Sequence, residues 1–235
     1  MGHYTYLLID LGCFLIPFLA SFYVKRPFHK EWKYFFPASI SVGLFFLIWD
    51  NLFIEYGIWG FEEKYTMGIH FFNLPIEEIL FFLCIPYACV FTYFAITYLI
   101  KKNPIKNIQH IMSAVLVILL LVVALFNLSL IYTSITFILT AALLSFCLYK
   151  KINLSYIYLT YIIITPFFFL SNGLLTGSFL EKPIVWYNDH YNMGIRIFTI
   201  PIEDMVYGFL LIGLNILLYE QIKKISSIKN INNSY

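Results

Sequence analysis

Apolar side chains in this 235-residue chain come in long runs, broken by short polar stretches, rather than in the alternation of a half-buried strand. Crossing the hydrocarbon of a bilayer takes about 20 mostly apolar residues per helix. Seven stretches meet or approach that length: 4–24, 35–54, 76–100, 111–126, 130–149, 156–175 and 202–219. The fourth is the shortest, and only Asn127, Leu128 and Ser129 part it from the fifth, so 111–148 also reads as one long span.

Composition fixes the class and charge settles the number of spans. Hydrophobic residues make up 61% of the chain and charged residues 12%, with a mean hydropathy of +0.81, against about 45–50% apolar and about 25% charged in soluble domains. With seven spans and the N-terminus outside, Lys25, Arg26, Lys30, Lys33, Lys101, Lys102, Lys106, Lys150, Lys151, Lys223, Lys224 and Lys229 share one side. Only Lys64, Lys182 and Arg196 lie opposite. Short cytoplasmic loops carry the Lys and Arg excess, whereas fusing spans four and five would split the large group. The expectation is a multi-pass protein of a bacterial cell membrane, N-terminus outside and C-terminus cytoplasmic. The net charge of +2 is then a topology signal, and no nucleic-acid partner is expected. No basic region precedes the first apolar run, so that run reads as a retained span. Cys13, Cys84, Cys89 and Cys147 sit inside spans without metal-site spacing and read as packing residues, with no metal and no cofactor expected.

One segment is written twice. Tyr65-Thr-Met-Gly-Ile-His-Phe-Phe-Asn-Leu-Pro-Ile-Glu-Glu78 returns as Tyr191-Asn-Met-Gly-Ile-Arg-Ile-Phe-Thr-Ile-Pro-Ile-Glu-Asp204, identical at eight of fourteen places. Each copy follows a polar loop and opens an apolar run. The plan is therefore three helices (1–100), a linking helix (101–129), three helices (130–222) and a polar tail (223–235) expected to fray. One linking helix returns the chain so that both units cross in the same direction, as parallel repeats. Both acidic motifs then lie at the same outer face, level with Asp50 and Asn172.

Proline is favoured at the first helical position, so Pro75 and Pro201 are expected to start spans three and seven with the carboxylates in the first turn. Acids there complement the helix dipole by about 0.3–1 kcal/mol. Duplication in a matched context and apolar flanks argue for more, since acidic groups within spans are costly and mark functional sites. The candidates are Glu77, Glu78, Glu203 and Asp204, with Asp50 in Leu-Ile-Trp-Asp-Asn-Leu-Phe. Phe71, Phe72, Phe198 and Tyr207, beside the carboxylates, are expected to face a cavity, where ring faces attract a cation by about 0.5–2 kcal/mol each.

These residues resemble the integral-membrane, flavin-independent lycopene cyclases, which occur as two small three-helix subunits, as one fused chain, or as a domain of archaeal and fungal enzymes. The resemblance rests on Pro75-Ile76-Glu77-Glu78 and Pro201-Ile202-Glu203-Asp204, on Trp49-Asp50 ahead of the first motif, and on the three-one-three layout. It implies an isomerase of carotenoid biosynthesis: a lycopene β-cyclase that takes linear lycopene from the bilayer and closes its ends, giving γ-carotene and then β-carotene. It also implies that Glu77, Glu78, Glu203 and Asp204 are essential. Trp49, Asn172 and the rings named above are then the expected substrate contacts. Ser171-Asn172 stand where Asp50-Asn51 would be, so Asp50 has no acidic twin. One of Glu77 and Glu203 is the expected proton donor, with Glu78 and Asp204 as cation stabilisers or base.

Other classes fit less well. Sugar carriers share the three-one-three plan but carry a Pro-Gln pair where this chain has Pro-Ile-Glu; a proton-coupled transporter and a carotenoid hydratase remain as alternatives. A retinal protein needs a lysine in the last span, and 202–219 has none. His3, His29, His70, His110 and His190 are scattered, against a di-iron oxygenase, and neither Asp-x-x-x-Asp boxes nor a Gly-x-Gly-x-x-Gly turn occurs.

Overall fold

The computed structural model describes residues 2–232. Its helices are α1 (Thr5–Ala20), α2 (Trp32–Glu55), α3 (Ile76–Leu99), α4 (Gln109–Phe126), α5 (Ile131–Tyr149), α6 (Ser155–Leu175) and α7 (Ile202–Asn232). Six of these are long and apolar enough to cross a bilayer, and α1 is a shorter apolar helix of 16 residues. The expected span 4–24 is thus cut at Ala20, where the chain turns toward Pro27 and a 3-10 segment at Phe28–Glu31. α4 and α5 are separate, as the charge pattern requires. At the other end α7 continues to Asn232, so the polar tail expected to fray from 223 is helical through that residue; 233–235 lie outside the described residues.

The architecture is an all-α membrane protein made of two three-helix units, α1–α3 and α5–α7, with α4 packed along α5. The units interlock: α2 packs on α7, and α3 packs on α6 and α7. Buried side chains of the core include Phe35, Phe46, Phe82, Tyr87, Leu144 and Tyr219. Outward positions such as Leu8, Ile16, Leu44, Ile118 and Leu125 are apolar too, which suits lipid rather than water. Relative sidedness follows from contacts at the two ends. The ring of His3, before α1, meets the carbonyl of Thr66 in the loop carrying the first motif, at 3.3 Å. At the opposite end, Tyr219 Oη and Lys223 Nζ both reach Glu31 Oε2, at 2.8 and 2.7 Å.

The motif loops fold alike. β2 (His70–Phe71) pairs with β3 (Leu74–Pro75), and β5 (Arg196–Ile197) with β6 (Ile200–Pro201), in the same register. Gly68 and Gly194 take φ of +72° and +66°, a left-handed backbone that favours glycine and accounts for the repeated Met-Gly pair. Pro75 is the last residue before α3, and Ile76 opens the helix by donating its N–H to Ile69 O. Ile202 repeats that bond to Ile195 O. The helices thus begin one residue later than expected, with both acid pairs in the first turn.

A two-stranded cap joins the units across this face. β1 (Trp59–Phe61) pairs antiparallel with β4 (Val185–Tyr187). Lys64–Glu181 and Lys182–Glu62 ion pairs, at 2.6 and 3.2 Å, flank it. A Cβ on Gly60 would overlap Cζ2 of Trp186, whose ring lies across that backbone. Overpacking of this kind costs about 1–3 kcal/mol, and about 1 kcal/mol lowers the midpoint of a chain this size by about 2–4 °C. Gly60→Ala is therefore expected to lower the thermal midpoint in detergent. Gly12→Ala, whose Cβ meets nothing within 4 Å, leaves it unchanged.

Candidate active site

The two acids of each motif do different things. Glu77 and Glu203 are fully buried and hold the loops that wrap back over them. Met67 N–H donates to Glu77 Oε1 at 2.6 Å, and Met193 N–H donates to Glu203 Oε1 at 2.9 Å, ten residues upstream in each case. Thr133 Oγ1 adds a third bond, donating to Glu203 Oε1 at 2.6 Å. These bonds repeat, in the loop, what a helix N-cap does: they satisfy backbone donors with a carboxylate.

Glu78 and Asp204, one residue on, turn the other way, into a cavity of about 80 Å³ beneath the cap. Tyr6 Oη donates to Glu78 Oε2, and Tyr132 Oη donates to Asp204 Oδ1 at 2.6 Å; each tyrosine lies 72 residues upstream of its acid. The first helix of each unit therefore supplies a phenol to the third, at the offset of 126 that relates the motifs. Asp204 Oδ2 also accepts from Asn172 Nδ2 at 2.9 Å and Tyr187 Oη at 2.8 Å. Burial, and then the Asp204 charge, push the Tyr187 phenol well above its ordinary pKa, so it remains a donor.

Symmetry breaks at Asp50. Its carboxyl lines the same cavity as that of Glu78, and Tyr207 Oη, from α7, donates to Asp50 Oδ1 at 2.8 Å. The cavity thus joins acids from α2, α3 and α7 with phenols from both units. Trp59, Phe81 and Phe168 supply ring faces, and no basic residue lines it among the described residues. The bulk of the lining is apolar, as a site for a hydrocarbon requires.

Of the residues singled out from sequence, Asp50, Glu78, Asn172, Asp204 and Tyr207 meet in this cavity. Trp49 is buried behind it, its ring 5.2 Å from that of Tyr207. Glu77 and Glu203, from which the expected proton donor came, do not line it. Nor do Phe71, Phe72 and Phe198, which stand exposed on the two hairpins, Phe72 and Phe198 at the turns with φ of +54° and +57°. The alternation of a two-residue hairpin turn carries them outward, which their closeness in sequence to the acids conceals.

Tyr6, Tyr132 and Tyr187 are not among the residues that sequence reasoning singles out. The first two are findable, because they obey the motif offset. Asp10 is a further omission, although a lone carboxylate in an apolar span is itself a signal. It is fully buried in α1, and neither of its oxygens has a hydrogen-bond partner among the described residues. No group of three or more His, Cys, Asp or Glu suited to a metal ion occurs among the described residues.

Comparison with known proteins agrees with the duplicated layout. The family model described as lycopene cyclase matches residues 3–96 and again 129–222, once over each three-helix unit and leaving out most of the linking helix. No curated protein and no solved structure gives a significant match. Matched twice, over most of its length, the chain belongs to the lycopene cyclase family.

Proposed function

We propose that this protein is a lycopene β-cyclase, closing first one end of lycopene to give γ-carotene and then the other to give β-carotene, without net redox change. A proton goes to the terminal alkene of the linear end. The adjacent double bond attacks the resulting cation, forming the ring and moving the charge to a ring carbon. Loss of a ring proton to a carboxylate then restores neutrality. One proton enters and another leaves, and no electrons are exchanged.

The observation that carries this reading is that the carboxyls of Asp50, Glu78 and Asp204 line one small, largely apolar cavity with no basic residue in its lining among the described residues. Carboxyls gathered in one such site can divide the roles of acid and base, and Asp50 with Glu78 is suited to hold the acid for the alkene. Tyr6 and Tyr207, donating to its oxygens, orient it. Asp204, held by three donors on α5, α6 and β4, is the carboxylate best placed to stabilise the cation and accept the ring proton. Fixed negative charge and ring faces around a developing cation supply the electrostatic stabilisation that is commonly the largest part of catalysis. Glu77 and Glu203 then act one step removed, as positioning residues that hold the motif loops. Family membership favours this reading over the transporter and hydratase alternatives.

Expression in a lycopene-accumulating host, with the pigments separated by chromatography, tests the activity. Cyclic carotenes replacing lycopene are expected; lycopene left unchanged despite good membrane expression would exclude it.

A further inference from the structure

The cavity around Asp50, Glu78 and Asp204 is far too small for a whole polyene: a water occupies about 10–15 Å³ on the same scale, and about 80 Å³ takes only part of an end group. The rest of the chain must lie elsewhere. Toward the aqueous face the cavity is roofed by Trp59, Phe61, Val185 and Tyr187 of the cap.

Toward the bilayer it adjoins a larger cavity of about 320 Å³ between α1, α3 and α6, with which it shares Ile85, Phe168, Ser171 and Ile212 as common wall. That second cavity continues past Gly12, Cys13 and Ile16 to the surface between α1 and α6. Exposed Phe167 and Leu170 stand at that surface. Polar lining is minimal, and its hydroxyls are occupied: Thr92 Oγ1 donates to Ala88 O at 2.7 Å and Ser171 Oγ to Phe167 O at 3.0 Å. Pro17, Pro86 and Pro166 interrupt the backbone ladders of the three helices that bound it.

The opposite seam differs. There a cavity between α2, α5 and α7, lined by Val42, Phe45, Leu139, Leu143, Leu210 and Leu214 among others, shares no lining residue with the acid cavity. The asymmetry coincides with a departure from the repeat: Ser171, neutral and internally satisfied, stands on the open side where the other unit has Asp50.

We propose that the seam between α1 and α6 is the binding channel for the straight polyene arm. A linear hydrocarbon slides in from the lipid with its chain along Gly12, Cys13 and Ile16, and its end group passes Phe168 and Ser171 to reach the acids. This deepens the cyclase reading and rests on it. Gly208, on α7, maintains the passage, since a Cβ there would lie 3.3 Å from the Phe168 ring.

The test fills the channel without touching the acids. A Cβ at Gly12 meets nothing within 4 Å, so a side chain there starts into open space, and Gly12→Ala, Gly12→Leu and Gly12→Phe add increasing volume to the channel. Ring formation in a lycopene-accumulating host, normalised to membrane expression and thermal midpoint, is expected to fall with side-chain size, by about tenfold or more at Gly12→Phe. Ser41→Phe, filling the closed seam, is expected to leave it unchanged. Folded Gly12→Phe protein that cyclises lycopene at the wild-type rate overturns the channel, as does an equal loss in Ser41→Phe. Should Gly12→Phe fail to reach the membrane, Gly12→Leu is judged by the same criterion. Wild-type protein that leaves lycopene unchanged refutes the cyclase reading instead, so the two failures are distinct.

Discussion

Glu78→Gln and Asp204→Asn are each expected to cut ring formation by about 10²- to 10⁴-fold, the range lost with a positioned acid or base, while the protein still inserts and keeps its thermal midpoint. Both substitutions preserve shape. In Glu78→Gln the new amide oxygen can still accept from Tyr6, and in Asp204→Asn it can still accept from Asn172 and Tyr187 while the new amide nitrogen donates to Tyr132 Oη, so packing survives while the acid, or the fixed charge, does not. Asp50→Asn removes another carboxyl from the cavity and should behave similarly. Glu77→Gln is the contrasting case: it retains an acceptor for Met67 N–H and touches nothing in the cavity, so activity within about tenfold of wild type is expected. Chromatography of the pigments, alongside quantified membrane protein, reads all four variants. If Glu77→Gln were as inactive as Glu78→Gln at equal stability, the division of labour within each motif would be wrong.

Glu203→Ala carries the largest expected effect on stability. It strands Met193 N–H and Thr133 Oγ1 beneath the motif loop and leaves a void where a fully buried carboxylate stood. Leaving a buried donor unsatisfied costs about 1–3 kcal/mol, so stranding two of them should cost several kcal/mol. Glu77→Ala, which strands only Met67 N–H among the described residues, should cost roughly half as much. Thermal unfolding of the purified variants in one detergent compares them. A larger drop for Glu77→Ala than for Glu203→Ala would contradict the bonding described here.

Much of the fold is legible because a bilayer imposes it. Apolar run length sets the helices, basic residues separate α4 from α5, and the repeated motif reveals two units meeting at one face. Paired Pro-Ile-Glu-Glu and Pro-Ile-Glu-Asp also mark the neighbourhood of the acids. Their individual orientation is not legible, because adjacent residues in a helical first turn point about 100° apart and the choice of inward residue depends on a loop that folds back from ten residues upstream. Met67 and Met193 claim the first acid, so the second faces the cavity. The cap is equally hidden, since β1 and β4 are three residues each and lie more than a hundred positions apart. Tyr6 and Tyr132 are a different case: a tyrosine in each unit's first helix at the motif offset is a plain sequence signal, obscured only by the abundance of aromatic residues.

Proton transfer without redox, through solvent-exchangeable carboxyls, is the central claim, and isotope incorporation tests it most directly. Purified protein turning over lycopene many times in deuterated buffer is predicted to give cyclic carotenes carrying one deuterium for each ring formed, by mass spectrometry, with no change in oxidation state. Rings formed without deuterium, or products bearing oxygen, would contradict it.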